Sequence, residues 1–230
     1  MKGIVKTILS IVLLAVICFL VYAIINSVME PVNFNKEKAK REAVAIQRLK
    51  DIRDLEVAFK AANEKFTANL DSLKDFYNNG KMNILMKVGS SDDSLAVAHT
   101  EAVRKSHKGI TPAQLYQMYQ AGDKNLVLSV KREVPVKDTL FHSRKDFNID
   151  SLKYIPFSGG ELVEMDAVVR KVSGVDVPLF EAKMPYKAIL KGMDKQLLIN
   201  AVAEREDQGR YPGLQVGSVS APNNNAGNWE

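Results

Sequence analysis

Residues 7–29 read TILSIVLLAVICFLVYAIINSVM, 23 consecutive positions without a charge. As an α-helix this run rises about 34 Å, enough to cross the hydrocarbon core of a bilayer. Lys2 and Lys6 flank it on one side and Glu30 and Pro31 on the other, with Tyr22 near the far boundary as an interfacial aromatic. A cleaved signal peptide would need a shorter apolar region followed by small residues in an A-x-A-like pattern, and nothing after Ala23 offers one. The bulky Ile17 before Cys18 also fits lipoprotein-type cleavage poorly. Residues 1–29 therefore read as a transmembrane anchor with a short basic N-terminus.

Two signals for orientation oppose each other. Lys36, Lys38, Lys40, Arg41 and Arg48 lie after the span, while Lys2, Lys6 and the terminal amine precede it, so the positive-inside count favours a cytoplasmic C-terminus. A span at the extreme N-terminus behind a very short basic segment is instead the form of a signal-anchor that exports the rest of its chain. The expectation taken forward is export.

Composition limits the character of the remaining two hundred residues. Of 230 residues, 46% are hydrophobic and 26% charged, a globular balance that excludes disorder of the whole chain. The single Cys18 excludes an intramolecular disulfide framework and a zinc site of paired cysteines. A net charge of +5 with 27 acidic residues interspersed gives no general nucleic-acid footprint, and nucleic acid is not expected as a partner.

Pro31 predicts a break, and Asn33 or Asn35 can cap a new helix, so residues 30–66 form an amphipathic stalk. Leu49, Ile52, Leu55, Phe59, Ala62 and Phe66 recur at spacings of three and four on one face. Glu37 with Arg41, Lys38 with Glu42, Lys50 with Asp54 and Glu56 with Lys60 lie four apart, which predicts a solvated face of paired charges. Two interaction surfaces are expected on this helix. The basic start at Lys36, Lys38, Lys40 and Arg41 can approach anionic head groups of the lipid bilayer. Leu49 and Ile52, in the half of the stripe away from the sheet, are expected to face a neighbouring stalk, through self-association or an envelope partner.

Residues 67–230 read as an α+β globular domain: a small, mostly antiparallel sheet with short helices and an irregular C-terminal tail. A short helix capped around Asp71 stops at Asn79-Gly80, and Met82 to Val88 reads as a strand. Helices are expected over Ser94 to Lys108, from Thr111-Pro112 to Gly122, and over Leu190 to Glu206. Further strands are expected over Leu126 to Val136, Tyr154 to Phe157, Glu161 to Val172 and Val177 to Met184, with turns at Gly159-Gly160 and Ser173-Gly174. The tail from Tyr211 to Glu230 reads as irregular. Asn69 to Lys74 (NLDSLK) is echoed by Asn148 to Lys153 (NIDSLK), which reused capping chemistry accounts for without a true repeat.

No catalytic set stands out. His99 and His107 would sit about 12 Å apart along a helix, too far to share a metal. No G-x-S-x-G, P-loop, H-E-x-x-H or G-x-G-x-x-G occurs, so no catalytic, cofactor-binding or metal-ligating residue is assigned. The alternative is a membrane-tethered enzyme whose site is assembled from scattered residues such as His142, Asp166 and Glu181, since catalytic groups need only meet in space. Trp229, the only tryptophan, lies beside the C-terminus and is expected to pack on the domain or on a partner.

The apolar helix running into an amphipathic one, with Arg48 to Arg53 (RLKDIR), Phe59, Phe66-Thr67 and Asp71-Ser72-Leu73, resembles the layout of type IV pilins and pseudopilins. Gly3 sits where prepilins carry their cleavage glycine, but the fifth residue after it is Ile8 instead of the usual Glu. Glu30-Pro31, Phe34 to Lys38 (FNKEK), Tyr154 to Phe157 (YIPF), Tyr211 to Leu214 (YPGL) and Gly227 to Glu230 (GNWE) resemble an uncharacterised family of bacterial single-pass envelope proteins. That resemblance implies no known activity; the helical register from span to stalk, together with the absence of a catalytic set, leads to the expectation of an inner-membrane protein with a periplasmic domain that serves as a scaffold or assembly subunit without catalytic activity.

Overall fold

A computed structural model describes the backbone of residues 2–230 and the side-chain surroundings of these apart from residues 2–8, Ser10 and Asn26. The flanking Lys2 and Lys6 and the prepilin-like Gly3 with Ile8 are outside the residues whose side chains are described. Half of the chain is helical and a fifth is strand, arranged as one long N-terminal helix and two small antiparallel sheets.

Helix α1 runs unbroken from Lys2 to Asn63, with Pro31 inside it. The expected break at Pro31 is therefore corrected. Proline removes one helical hydrogen bond and costs about 3 kcal/mol in a helix interior, a local loss that 62 continuous residues absorb. Phe34, three residues on, is 7% exposed. Within α1 an 18-residue window has mean hydropathy 2.8 with none of it buried. The helix is thus long and apolar enough to cross a membrane.

The chain divides into two compact units, each discontinuous in sequence. Met1–Arg53, Ser151–Val168 and Leu179–Glu230 form the first; Asp54–Asp150 and Val169–Pro178 form the second. This differs from a stalk followed by one domain over 67–230, because the grouping depends on contacts between segments far apart in sequence.

β4 (Val175–Pro185) pairs antiparallel with β5 (Gly213–Gly217), and β3 (Glu164–Val172) lies on the other side of β4; the first unit holds the Glu164–Val168 and Leu179–Pro185 parts of these strands, while Val169–Pro178, with the turn between them, is grouped with the second. Ser173 at φ 52° and Gly174 at φ 85° make the β3–β4 turn, the double left-handed geometry that a two-residue hairpin requires. The tail expected to be irregular contains β5, which the alternation of Leu214 and Val216 supplies; both are buried. Its flanking glycines permit close pairing, since a Cβ on Gly213 would stand 2.4 Å from the Met184 carbonyl oxygen and one on Gly217 2.3 Å from that of Phe180. Tyr154 to Phe157 is no strand: Tyr154 makes only an isolated bridge to Leu162. Short helix α6 (Tyr186–Ile189) and helix α7 (Lys195–Asp207) complete the first unit.

In the second unit α2 (Leu70–Asn79) precedes β1 (Lys81–Val88), followed by α3 (Ser94–Ser106), α4 (Pro112–Gln120), β2 (Leu128–Pro135) and the short helix α5 (Val136–Thr139). β1 and β2 pair antiparallel over their whole length, Lys81 opposite Pro135 and Val88 opposite Leu128. Val88, Leu115, Leu126, Leu128 and Val130 form the core cluster here. The sequence echo is capping chemistry: Asn69 Oδ1 accepts the Asp71 N–H at 2.8 Å and Asn148 Oδ1 accepts the Asp150 N–H at 2.9 Å. The cap is thus the asparagine, and Asp71 sits in the first turn.

Candidate interaction surface

The stretch of α1 from Phe34 to Arg53 is built into the first unit. Ala45, Leu49 and Ile52 are each 0% exposed, so the expectation that Leu49 and Ile52 face a neighbouring stalk is corrected: the chain itself covers them. The periodicity identifies the buried face, but nothing local indicates whether the same chain or another one buries it.

The basic start of the helix is also largely consumed. Arg41 Nη1 donates to the carbonyls of Lys191 at 2.9 Å and Ile189 at 3.3 Å, while Nε pairs with Glu37 at 3.2 Å. Its guanidinium lies 5.0 Å from the Phe157 ring centroid. Phe157, at φ 64°, belongs to a loop tied down by buried Ser158. The Ser158 hydroxyl donates to the Ile155 carbonyl at 2.7 Å and accepts the Glu161 N–H at 2.9 Å. Lys191 Nζ closes the arrangement, donating to the Ser158 carbonyl at 2.8 Å and to Glu161 at 2.9 Å. Further along, Arg48 donates to the Tyr154 carbonyl, and burial holds its pKa below the usual arginine value.

Lys38 belongs to a second network. Its ammonium stands 3.8 Å from Glu42 and 5.0 Å from the centroid of the fully buried Tyr186 ring. The Tyr186 hydroxyl donates to Glu42 at 2.6 Å and accepts from Arg205 at 3.2 Å. Burial, and then the Glu42 hydrogen bond, push its pKa up to about 12, so the hydroxyl stays a donor throughout the physiological range. Tyr186→Phe is expected to lower the stability of the full chain by about 1.5–3 kcal/mol, the range for a hydrogen bond to a charged group. A shift in the urea unfolding midpoint would measure it, and an unchanged midpoint would show that the network contributes nothing.

What remains open on this stretch is the opposite face, where Lys36, Lys40, Val44 and Gln47 are exposed. Lys36 and Lys40 are thus the cationic candidates still turned outward, Lys40 at 3.7 Å from Glu37. Trp229 is half-buried and lies so close over Gly227 that a Cβ there would meet its Cζ2 at 2.3 Å. Asn228 holds this end to β5: its N–H donates to the Gln215 carbonyl at 2.9 Å and its Oδ1 accepts the Gln215 N–H at 3.1 Å. Glu230 pairs with Arg53 at 2.7 Å, which lowers its carboxyl pKa.

The scattered residues of the enzymatic alternative are divided between the two units. His142 is exposed in a turn of the second unit, whereas Asp166 and Glu181 belong to the first. Asp166 is exposed and its carboxylate accepts the N–H of Ala167 at 2.8 Å. Glu181 is buried, accepting from Gln215 Nε2 at 2.7 Å and paired with Lys183. Among the described residues no three His, Cys, Asp or Glu side chains are placed to hold a metal ion.

The expected Glu56–Lys60 surface pair is corrected as well. Glu56 is 0% exposed; its Oε2 accepts the Thr67 N–H at 3.1 Å and its Oε1 is buried without a partner among the described residues. Lys60 stands over the Phe66 ring, 5.0 Å from its centroid. Spacing alone carries no signal of this, because Glu with Lys four residues on is the usual form of an exposed pair.

The chain matches no protein-family model, no curated protein and no solved structure.

Proposed function

We propose that this protein is a single-pass, membrane-anchored subunit of a bacterial cell envelope that presents its α+β portion outside the cytoplasm as a scaffold or assembly element, without catalysis of its own. The supporting observation is the 18-residue window of mean hydropathy 2.8 that nothing in the chain buries. Such a surface in water would carry a large hydrophobic cost, which a bilayer removes. The helix continues from this window straight into its packed stretch, which begins at buried Phe34, so the packed portion starts close to the bilayer boundary. Any stalk-mediated partner, including a second copy, then meets the face of Lys36, Lys40, Val44 and Gln47 instead of the covered stripe.

The test has two stages. Carbonate washing of membranes from expressing bacteria should leave the chain in the pellet; release into the wash removes the anchor reading. Protease added to intact spheroplasts should then digest residues beyond α1, and complete protection of that portion would place it in the cytoplasm.

A further inference from the structure

Where the C-terminal turns of α1 meet α2 in the second unit, the surface holds an open cavity of about 450 Å³, within the size range of small-molecule sites. Phe59 of α1 and Phe76 of α2 meet there edge to face, centroids 5.3 Å apart at 80°. Phe76 is 8% exposed and Phe59 is half-buried, so part of the Phe59 ring is open to a ligand. Around this aromatic wall stand Asn63, Ser72, Asp75 and Asn79, with Asn69 and Asp71 at the start of α2 also on the rim. Two of them are held in place: Asn63 Nδ2 donates to the Phe59 carbonyl at 3.0 Å, and Asn79 Nδ2 donates to Asp75 Oδ1 at 2.7 Å. An amide or carboxylate fixed through one atom still carries a second polar atom.

The chemistry of the lining narrows the ligand. No Lys, Arg or His borders the cavity, which leaves a phosphate or carboxylate without a counter-charge. Among the described residues no three His, Cys, Asp or Glu side chains are placed to hold a metal ion. A wholly apolar ligand would strip water from the amides and carboxylates of the rim without replacing its hydrogen bonds. What suits an aromatic wall beside fixed amide and carboxylate groups is an uncharged molecule with a C–H face and adjacent hydroxyls. We propose that this cavity is a binding site for a neutral saccharide: a sugar ring lies against Phe59, and adjacent hydroxyls bond to Asp75, Asn79 and Asn63.

The proposal is independent of the membrane reading and is tested on the full chain in lipid nanodiscs, with no sugar-based detergent. N-acetylglucosamine tetramer and maltotetraose are titrated separately and monitored by calorimetry and saturation-transfer NMR. At least one of the two is expected to bind. Asp75→Ala and Asn79→Ala, both exposed positions, are each expected to weaken it by about tenfold, the loss of one good polar contact. Gln196→Ala on α7, outside this unit, leaves binding unchanged, and circular dichroism confirms that each variant is folded. Failure of both oligosaccharides to bind overturns the proposal, and so does binding that either rim substitution leaves at the wild-type affinity.

Discussion

Leu49→Asp, and equally Ile52→Asp, is expected to abolish the cooperative folding of the first unit. Both positions are 0% exposed, and a carboxylate placed there has no room for water. Desolvating an unpaired charge costs several kcal/mol, to which the lost packing of a Leu or Ile side chain adds about 2–5 kcal/mol. Domains of this size are stable by only about 5–15 kcal/mol, so either substitution takes most of the margin. The measurement is limited proteolysis of the full chain beside thermal unfolding. The variants should be cut within 151–168 and 179–217 faster than the wild type. Val44→Asp, one turn away on the open face, is the contrast: Val44 is 45% exposed, and its replacement should move stability by about half a kcal/mol at most. A cooperative transition for Leu49→Asp within a few degrees of the wild type would mean that the stripe is not closed by the chain itself.

The pair of outcomes separates two readings that periodicity cannot. Apolar residues at spacings of three and four tell which face of α1 is turned from water, and Ala45, Leu49, Ile52 and Leu55 are indeed buried. They do not tell what lies against that face, because the segments grouped with Met1–Arg53 begin only at Ser151. Local punctuation is legible for the same reason in reverse. Thr111-Pro112 and Ser173-Gly174 act through bonds within a few residues of themselves, and a helix begins at the first and a turn forms at the second. Pro31 misleads because its cost is local while the support for continuing the helix is not. β5 escapes notice because five residues bounded by glycines resemble a loop until β4 is placed alongside. Among site candidates, Lys38 and Arg41 meet partners of the chain's own, Tyr186 and the carbonyls of Ile189 and Lys191, about 150 positions away. The saccharide cavity is invisible in the sequence, since Asn63, Asp75 and Asn79 are ordinary surface residues until two helix faces converge.

Glu56→Gln is expected to remove most of the chain's stability loss between weakly acidic and alkaline pH. Glu56 is 0% exposed, with one hydrogen bond from the Thr67 N–H and a second oxygen that has no partner among the described residues. Burial raises its pKa from 4.5 to about 8, only partly opposed by the Thr67 hydrogen bond. The folded chain therefore keeps the proton where the unfolded chain has lost it. Below about pH 4.5 both states are protonated and the group's favourable neutral burial is fully present. Between that pH and about 8 the folded state holds the extra proton, so stability falls as pH rises, by up to about 1.4 kcal/mol per pH unit. Above pH 8 the charged carboxylate is buried and the whole cost is felt. Glutamine has no proton to lose, and its carbonyl can still accept from Thr67. Its amide nitrogen takes the place of the unpartnered oxygen, so near pH 5 the variant should equal the wild type or be weaker by about 1 kcal/mol. By pH 9 the order should reverse, with the variant more stable by a few kcal/mol. Urea unfolding of the full chain and of Glu56→Gln from pH 5 to 9 measures this, and parallel pH profiles for the two would show that Glu56 ionises at its ordinary value.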